Sequence, residues 1–258
     1  MTSDTAVFML DVFRSCIIIP LIYLYTLVMA TLSLLLSFFD RDGSLQHWCA
    51  RTWCRMIAVT AGARIEVRGL ENVPQNQAAV FIANHSSYLD IPAIWGYVPV
   101  QFRIMAKRSL FYVPFMGWFL WRAGHIPVDQ ENSRAALANI NRAVEKLKAG
   151  CSLVVFAEGH RSPDGVLQEF KTGGFKLAQK AGVPIVPVTI IDAHRVLKKD
   201  SLVFHAGKVE VIIDPPLSTA GYTSRTLPEL MNKTRARIAS HLPAQQLPAE
   251  EKLAWQKA

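Results

Sequence analysis

The chain has 258 residues, 51% of them hydrophobic, with a formal net charge of +8 and a pI near 9.5. That length suits one large domain with an appendage, and the hydrophobic fraction falls short of a polytopic membrane protein. The positive charge favours an anionic partner. Because no nucleic-acid-binding module accompanies the basic residues, we expect lipid head groups or a phosphorylated substrate and no nucleic acid. The cysteines and histidines lack metal-ligand spacing, so we expect reduced thiols and no metal.

The beginning of the chain is strongly apolar. Residues 15–39 carry no charge, and 25 residues at about 1.5 Å each can cross a hydrocarbon core of about 30 Å. No small-residue cleavage site follows, which argues against a cleaved signal peptide, whereas Pro20 leaves open a helix within one leaflet. Arg14 precedes the segment and Arg41, Arg51 and Arg55 follow it. The positive-inside rule therefore predicts that the rest of the chain lies in the cytoplasm.

A second helix is predicted over residues 45–62. Its tryptophans beside arginines suit either a membrane interface or packing against the globular part. We therefore predict that residues 1–62 are membrane-anchoring helices, and that the globular part begins with an alternating strand at residues 64–68.

A buried strand is predicted over residues 78–83, followed by a polar turn from Asn84 and a helix with Pro92 in its first turn. Across such a turn His85 can meet Asp90, whereas residues five apart on a regular helix point about 140° away from each other. A carboxylate on one ring nitrogen fixes the tautomer and leaves the other nitrogen free to accept a proton. We interpret the two residues as a general-base dyad; the alternative is a turn histidine beside an unrelated aspartate.

Residues 110–121 follow a strand predicted over residues 101–106. They are apolar almost all round, and Pro114 and Gly117 interrupt their regularity. This pattern indicates either a buried helix, or an acyl-chain groove or membrane-facing wall beside the dyad.

Helices and strands alternate in the second half of the chain. Helices are predicted over residues 133–147, 171–181 and 227–242, strands over 151–157 and 183–191, and a hairpin over 202–213. The prolines of 183–191 suggest an edge strand or a bulge. These elements predict an α/β fold over residues 63–242, a mixed central sheet flanked by helices, with the N-terminal helical anchor before it and a loosely attached tail at 243–258.

A third polar group follows the strand at 151–157, at the end where α/β sheets usually bind ligands. Glu158 and Gly159 come first, and the guanidinium of Arg161 could grip a phosphate through two hydrogen bonds. The alternative is a surface salt bridge between Glu158 and Arg161.

Four blocks in this order resemble the glycerolipid acyltransferase family over most of residues 61–215. The first family block, N-H-x-x-x-x-D, corresponds to NHSSYLD. The second corresponds to KRSLFYVPFMGWFLWRAGHIPVDQ, which begins at Lys107. The third, E-G-T-R-S, corresponds to EGHRS followed by FKTGG, and the fourth, a proline-centred strand, corresponds to VPIVPV.

The resemblance implies acyl transfer from acyl-CoA or acyl-carrier protein to the free hydroxyl of 1-acylglycerol-3-phosphate (lysophosphatidate). The product is phosphatidic acid, made in phospholipid biosynthesis at the cytoplasmic (inner) membrane, with the catalytic domain facing the cytoplasm. His85 would be the base and Asp90 would orient it. The remaining candidates would bind substrate: Glu158, Gly159, Arg161, Ser162 and Lys107. Membrane lipids are expected partners, and no cofactor is implied beyond the acyl donor.

Two positions depart from the family pattern. His160 stands where threonine is usual, and Gln130 follows Asp129 where arginine is common. These departures keep open a different lyso-lipid acceptor, such as a lyso-ornithine lipid. A hydrolase that uses the same dyad on water is the rival class of function.

Overall fold

A computed structural model describes residues 3–40, 42–128 and 133–249. Its helices are α1 (Ser3–Leu36), α2 (Ser44–Ala61), α3 (Asp90–Tyr97), α4 (Met116–Arg122), α5 (Ser133–Lys148), α6 (Gly173–Ala181), α7 (Ala193–Val196) and α8 (Leu227–His241). Its strands are β1 (Ala63–Arg68), β2 (Val80–Ala83), β3 (Phe102–Lys107), β4 (Ile126–Val128), β5 (Ser152–Phe156), β6 (Ile185–Ile191) and β7 (Gly207–Ile213). Most bounds lie within a few residues of the predicted ones, but α1 begins well before residue 15 because the helix accommodates Asp11 and Arg14.

The strands form one sheet in the order β1-β7-β6-β2-β5-β3-β4. Neighbours are parallel except β6 and β7, so the predicted mixed sheet is confirmed. Helices α2 and α3 pack in the apolar cluster on one face, and α5, α6 and α8 in the cluster on the other. The central strand β2 alternates between them, with Phe81 on the first side and Ile82 on the second.

The register places the candidate residues together. Ala83 pairs with Phe156 on β5 and with Val188 on β6. The segments that follow β2 and β5 therefore leave the same edge of the sheet side by side, which is where parallel strands usually place a ligand site.

Strand β6 lies inside the sheet, so the predicted edge position is wrong. It pairs with β2 on one side and with β7 on the other. Pro187 is tolerated because the ladder to β7 begins at the next residue, with Val188 opposite Ile213. The carbonyl of Pro187 still accepts a hydrogen bond from the N–H of Asp214, at 3.0 Å. The proline therefore costs the ladder only the one bond that its absent N–H would have donated.

Residues 110–121 do not form a buried helix. A 3-10 helix (Arg108–Tyr112) precedes α4, and the run between them is broken at Pro114. Tyr112, Trp118 and Trp121 are 71%, 55% and 45% exposed. We call the exposed apolar side chains of this segment the aromatic wall: Leu110, Tyr112, Val113, Phe115, Trp118 and Trp121.

Two further predictions need correction. The hairpin over residues 202–213 is wrong, because only β7 forms there and it pairs in parallel with β1. The loop before β7 instead contacts α1, where the N–H of Phe204 donates to Ser15 Oγ at 2.8 Å. The predicted tail is attached to the body over residues 243–249: Leu247 is buried, and Gln246 donates to Asp192 Oδ1 at 2.7 Å.

Helix α1 is the one candidate membrane helix within residues 3–40, 42–128 and 133–249. Its stretch Val7–Leu36 reaches a mean hydropathy of 2.1 over 18 residues, and only 11% of those residues are buried inside the protein. The length and composition are sufficient to cross a membrane.

All four cysteines are unpaired, as predicted.

Candidate active site

His85 and Asp90 form a hydrogen-bonded pair at the start of α3. His85 Nδ1 lies 2.7 Å from Asp90 Oδ2. The carboxylate is fully buried, and the same oxygen accepts the backbone N–H groups of Ser86 and Ser87, at 2.7 and 2.8 Å. Because Asp90 only accepts here, the proton of the neutral ring resides on Nδ1. Nε2 then carries a free lone pair, and no side chain in the described part of the chain bonds to it.

Neighbouring strands brace the turn that carries His85. The Asn84 side chain donates to the carbonyl of Ile190 and accepts the N–H of Ile190 on β6, both at 2.8 Å. From the β5 side, the N–H of Ser162 donates to the His85 carbonyl at 2.8 Å. The imidazole stacks on Phe156 with ring centroids 4.0 Å apart. The ring is therefore held in one orientation, as a base that must meet a hydroxyl requires.

Glu158 lies behind His85. The residue is 1% exposed, and Oε1 accepts the backbone N–H of His85 at 2.9 Å. Burial raises the pKa of Glu158 to about 8, although the His85 N–H opposes the shift. A largely protonated Glu158 therefore supports the His85 turn at neutral pH, a contribution that sequence reasoning did not anticipate.

Arg161 does not pair with Glu158, so the predicted alternative of a surface salt bridge is wrong. Its guanidinium carbon lies 3.5 Å from the centroid of the Tyr88 ring, and Nη2 lies 3.8 Å from Asp200, whose side chain is 73% exposed. Nη1 is buried and has no hydrogen-bond partner among the described residues. The guanidinium is thus held over the ring of Tyr88, which lies three residues after His85 in the sequence. It keeps donor capacity for a ligand.

The remaining candidates differ in position. Gly159 follows Glu158 and adopts a φ of +76°, which favours glycine. Ser162 is buried, and its hydroxyl donates to Asp164 at 2.9 Å, so it supports the loop. Lys107 lies exposed at the end of β3, and no hydrogen bond or ion pair within the described ranges joins it to the dyad. Asp129 and Gln130 lie outside the described residues.

Sequence reasoning missed three residues that the structure brings to the site. Asn84 directly precedes His85 within NHSSYLD, and Tyr88 lies inside the same motif, so both had a local signal. Phe156 had none, because its contact with His85 depends on β2 and β5 being neighbours.

Two cavities flank these elements. A narrow apolar cavity, too small in this structure to admit a water molecule, begins at Phe156, on which the His85 ring stacks, and extends between α3, β3 and β5; its lining residues are Ile91, Ile94, Trp95, Phe102, Ile104, Val154 and Phe156. A wider cleft of about 450 Å³ includes Pro184 and Tyr222 in its lining. It lies at the start of β6, the opposite edge of the sheet from His85, and is too distant to serve the dyad.

Comparison with known proteins gives these features a context. A family model described as "Acyltransferase" matches residues 64–191. A 1-acyl-sn-glycerol-3-phosphate acyltransferase from Pseudomonas aeruginosa is 32% identical over 198 residues, which cover 75% of this chain and 76% of that protein. The chain belongs to this acyltransferase family.

Other relatives of the family agree. A chloroplastic 1-acyl-sn-glycerol-3-phosphate acyltransferase from Arabidopsis thaliana is 32% identical over 198 residues, covering 76% of this chain and 54% of the relative. The chain spans about half the length of such chloroplastic relatives. The crystal structure of the 1-acyl-sn-glycerophosphate (LPA) acyltransferase PlsC from Thermotoga maritima superposes with a TM-score of 0.78 at 25% identity, covering 90% of this chain and 96% of that one.

Proposed function

We propose that the chain transfers a fatty acyl group from acyl-CoA or acyl-carrier protein to the free hydroxyl of lysophosphatidate, giving phosphatidic acid. The observation that carries the proposal is the His85–Asp90 pair, with Nδ1 engaged at 2.7 Å and Nε2 free. The activity named for the Pseudomonas aeruginosa and Thermotoga maritima proteins supports the same reaction.

In this reaction His85 acts as the general base. Nε2 accepts the proton of the acceptor hydroxyl while the hydroxyl oxygen attacks the thioester carbonyl, and Asp90 stabilises the imidazolium. The tetrahedral intermediate then collapses, the carbon–sulfur bond breaks, and the thiolate takes the proton from His85. The acyl group passes directly from sulfur to oxygen, so the reaction needs no acyl-enzyme and no cofactor.

Recognition of the acceptor is assigned to Arg161. Its unpartnered Nη1 and its stacking on Tyr88 leave a planar donor set available for phosphate oxygens. Lys107, exposed at the end of β3, is a second candidate. Glu158, Gly159 and Ser162 act on the acceptor indirectly, by fixing the loop that carries Arg161 and the backbone of His85.

Apolar surfaces next to the dyad suit the acyl chain. The cavity that begins at Phe156, on which the His85 ring stacks, has an entirely apolar lining. It does not admit a water molecule in this structure, so we expect it to widen when the acyl chain enters. The aromatic wall is exposed to the surroundings and suits contact with lipid.

Membrane attachment is assigned to residues 1–62, with residues 63–242 as the catalytic domain. Helix α1 is tied to the body near both ends: Asp11 lies 2.7 Å from His205 Nδ1, and Arg122 donates to the Ser37 carbonyl at 2.9 Å. A helix held along the body cannot project away from it through a bilayer. We therefore infer that α1 lies within one leaflet, the cytoplasmic one of the inner membrane, with its exposed apolar side chains in lipid; they include Phe8, Phe13, Tyr23, Leu24 and Leu35.

The test is a panel of acceptors with a single acyl-CoA. Purified protein in mixed micelles is offered lysophosphatidate, a lyso-ornithine lipid, and a lyso-lipid without a terminal phosphate. The proposal expects the highest kcat/KM for lysophosphatidate and negligible loss of thioester without an acceptor. Preference for a phosphate-free acceptor would move the chain to another acyltransferase substrate class, and rapid thioester loss without acceptor would make it a hydrolase.

A further inference from the structure

The segment after α8 reaches back to the active site through Gln246. Its backbone carbonyl accepts the N–H of Leu167 at 2.8 Å, and its side-chain amide donates to Asp192 Oδ1 at 2.7 Å. Leu167 lies between β5 and α6, in residues 158–170, which we call the active-site loop. Asp192 directly follows β6. One residue of the C-terminal segment therefore joins the loop after β5 to the end of β6, and these are the two strands that flank β2.

The burial of Gln246 indicates that its amide is present for this hydrogen bond. The residue is 2% exposed, and Leu167 and Leu247 are buried with it. Within the described ranges its Oε1 is buried without a hydrogen-bond partner, and an unpaired buried acceptor costs stability. An apolar side chain of the same length would fill the space without that cost. The bond to Asp192 is therefore what glutamine contributes at this position.

Asp192 is a fixed anchor for the bond. Its φ of +62° lies in the left-handed region, and Arg195 Nε lies 3.1 Å from its Oδ1. Helix α7 begins at the next residue, and the carbonyl of Leu197, directly after that helix, accepts the hydroxyl of Ser87 at 2.7 Å. One short helix thus connects the anchor to the turn that carries the dyad.

The active-site loop carries the contacts that support the dyad. Burial raises the pKa of Glu158, and a hydrogen bond from the N–H of Gln168, next to Leu167, opposes that rise. Glu158 Oε1 in turn accepts the N–H of His85 at 2.9 Å. Arg161 lies in the same loop. A displacement of the loop at Leu167 would therefore reach both the support of His85 and the position of Arg161.

We propose that Gln246 is a positioning residue for acyl transfer, which holds the active-site loop against the end of β6 and so fixes Arg161 relative to His85. This inference rests on the proposed function. Gln246 lies outside the four sequence blocks, in the segment that the sequence predicted to be a loosely attached tail. It acts through the loop and contacts neither member of the dyad.

The test compares Gln246→Met with Gln245→Met, using the full chain in mixed micelles. Methionine keeps the length of the side chain but removes the donor to Asp192, and the exposed Gln245 provides the matched control. One hydrogen bond typically changes an equilibrium about 2- to 13-fold. We expect Gln246→Met to raise the KM for lysophosphatidate about threefold or more, while the KM for acyl-CoA stays within about twofold of wild type. Gln245→Met should match wild type.

A double variant tests the bond itself. Gln246→Glu combined with Asp192→Asn exchanges donor and acceptor, because the introduced amide can donate to the introduced carboxylate, and asparagine tolerates a positive φ. We expect the KM for lysophosphatidate to return to within about twofold of wild type, since the hydrogen bond is restored. Asp192→Asn alone still offers an acceptor to Gln246 and controls for the lost ion pair with Arg195.

The outcomes separate this inference from the proposed function. If wild type acylates lysophosphatidate and Gln246→Met leaves its KM unchanged, the inference is overturned while the function stands. An equal rise in KM for acyl-CoA or for an acceptor without a terminal phosphate, or no recovery in the double variant, would also overturn it. A wild type that does not use lysophosphatidate would overturn the proposed function, and this inference with it.

Discussion

Two of the histidine–aspartate pairs among the described residues invite comparison: one follows strand β2, and the other joins the end of β7 to the end of α8. In the pair that we propose to be catalytic, and call the catalytic pair, His85 Nδ1 lies 2.7 Å from Asp90. In the pair that we call the remote pair, His241 Nε2 lies 3.0 and 3.1 Å from the two oxygens of Asp214. Both carboxylates are buried. The distance between partners therefore does not identify a catalytic dyad.

The surroundings of the two pairs distinguish them. Asp90 also accepts two backbone N–H groups of its own turn, and His85 stands beside Phe156 and the loop of Arg161. The remote pair joins the end of α8 to the end of β7, where it ties two elements together. Chemistry requires a free ring nitrogen that faces a substrate site, and a structural pair requires only that two elements be joined.

The largest expected effect separates rate from stability. His85→Ala should lower the rate of acyl transfer by about 10²–10⁴-fold, the usual contribution of a general base, with little change in thermal unfolding. His241→Ala should leave the rate within about twofold but destabilise the protein by roughly 1–3 kcal/mol, because Asp214 loses its partner. Steady-state kinetics and thermal unfolding in detergent measure both effects. Equal rate losses in the two variants would erase the distinction.

The aspartates should show the same contrast with a slightly smaller effect on rate. Asp90→Asn should be nearly as severe as loss of the histidine, because an amide can present the wrong partner to Nδ1. Asp214→Asn should keep near-normal turnover. A variant Asp90→Asn that retains more than about a tenth of wild-type kcat would have lost less rate than a misoriented base usually costs. That result would mean that Asp90 is not needed to orient His85.

The catalytic pair could be predicted from sequence because both residues lie in one short turn. Its support could not be, since Asn84 bonds to Ile190 and His85 stacks on Phe156 only when β6 and β5 flank β2. The same dependence on neighbouring strands explains the wrong prediction for β6. The sequence shows that Pro187 lacks an N–H, but it does not show where the ladder to the next strand begins.

The aromatic wall shows a different limit. An apolar run can be buried in a core or exposed to lipid, and composition does not distinguish the two. The hairpin expected over residues 202–213 failed because a distant segment, Ser15 of α1, takes the N–H of Phe204. Local patterns contain no information about such long-range partners.

Glu158 gives the catalytic side a pH dependence that can be tested. Its pKa is raised from 4.5 to about 8 in the folded protein, so its neutral form favours the folded state. That stabilisation is complete below pH 4.5 and is lost as pH rises towards 8, with a slope of at most about 1.4 kcal/mol per pH unit. Glu158→Gln cannot titrate and should gain stability relative to wild type between pH 5 and 8. If the free energies of unfolding of wild type and Glu158→Gln instead change in parallel from pH 5 to 8, Glu158 is already ionised in the folded protein across that range.

The smallest expected effect concerns the platform under Arg161. Tyr88→Ala removes the ring that stacks on the guanidinium, an interaction worth roughly 0.5–2 kcal/mol, whereas Tyr88→Phe retains it. We expect the KM for lysophosphatidate to rise about 2- to 30-fold in the alanine variant and to stay near wild type in the phenylalanine variant. Equal KM values in the two variants would show that stacking does not position Arg161.

The central claim is that His85 activates the acceptor hydroxyl for direct attack on the thioester. Mixing the enzyme with labelled acyl-CoA in the absence of acceptor tests it most directly, by following CoA release on the time scale of one turnover. The account predicts no burst of CoA and no label on the protein until lysophosphatidate is added. A burst stoichiometric with enzyme, accompanied by acylated protein, would contradict it.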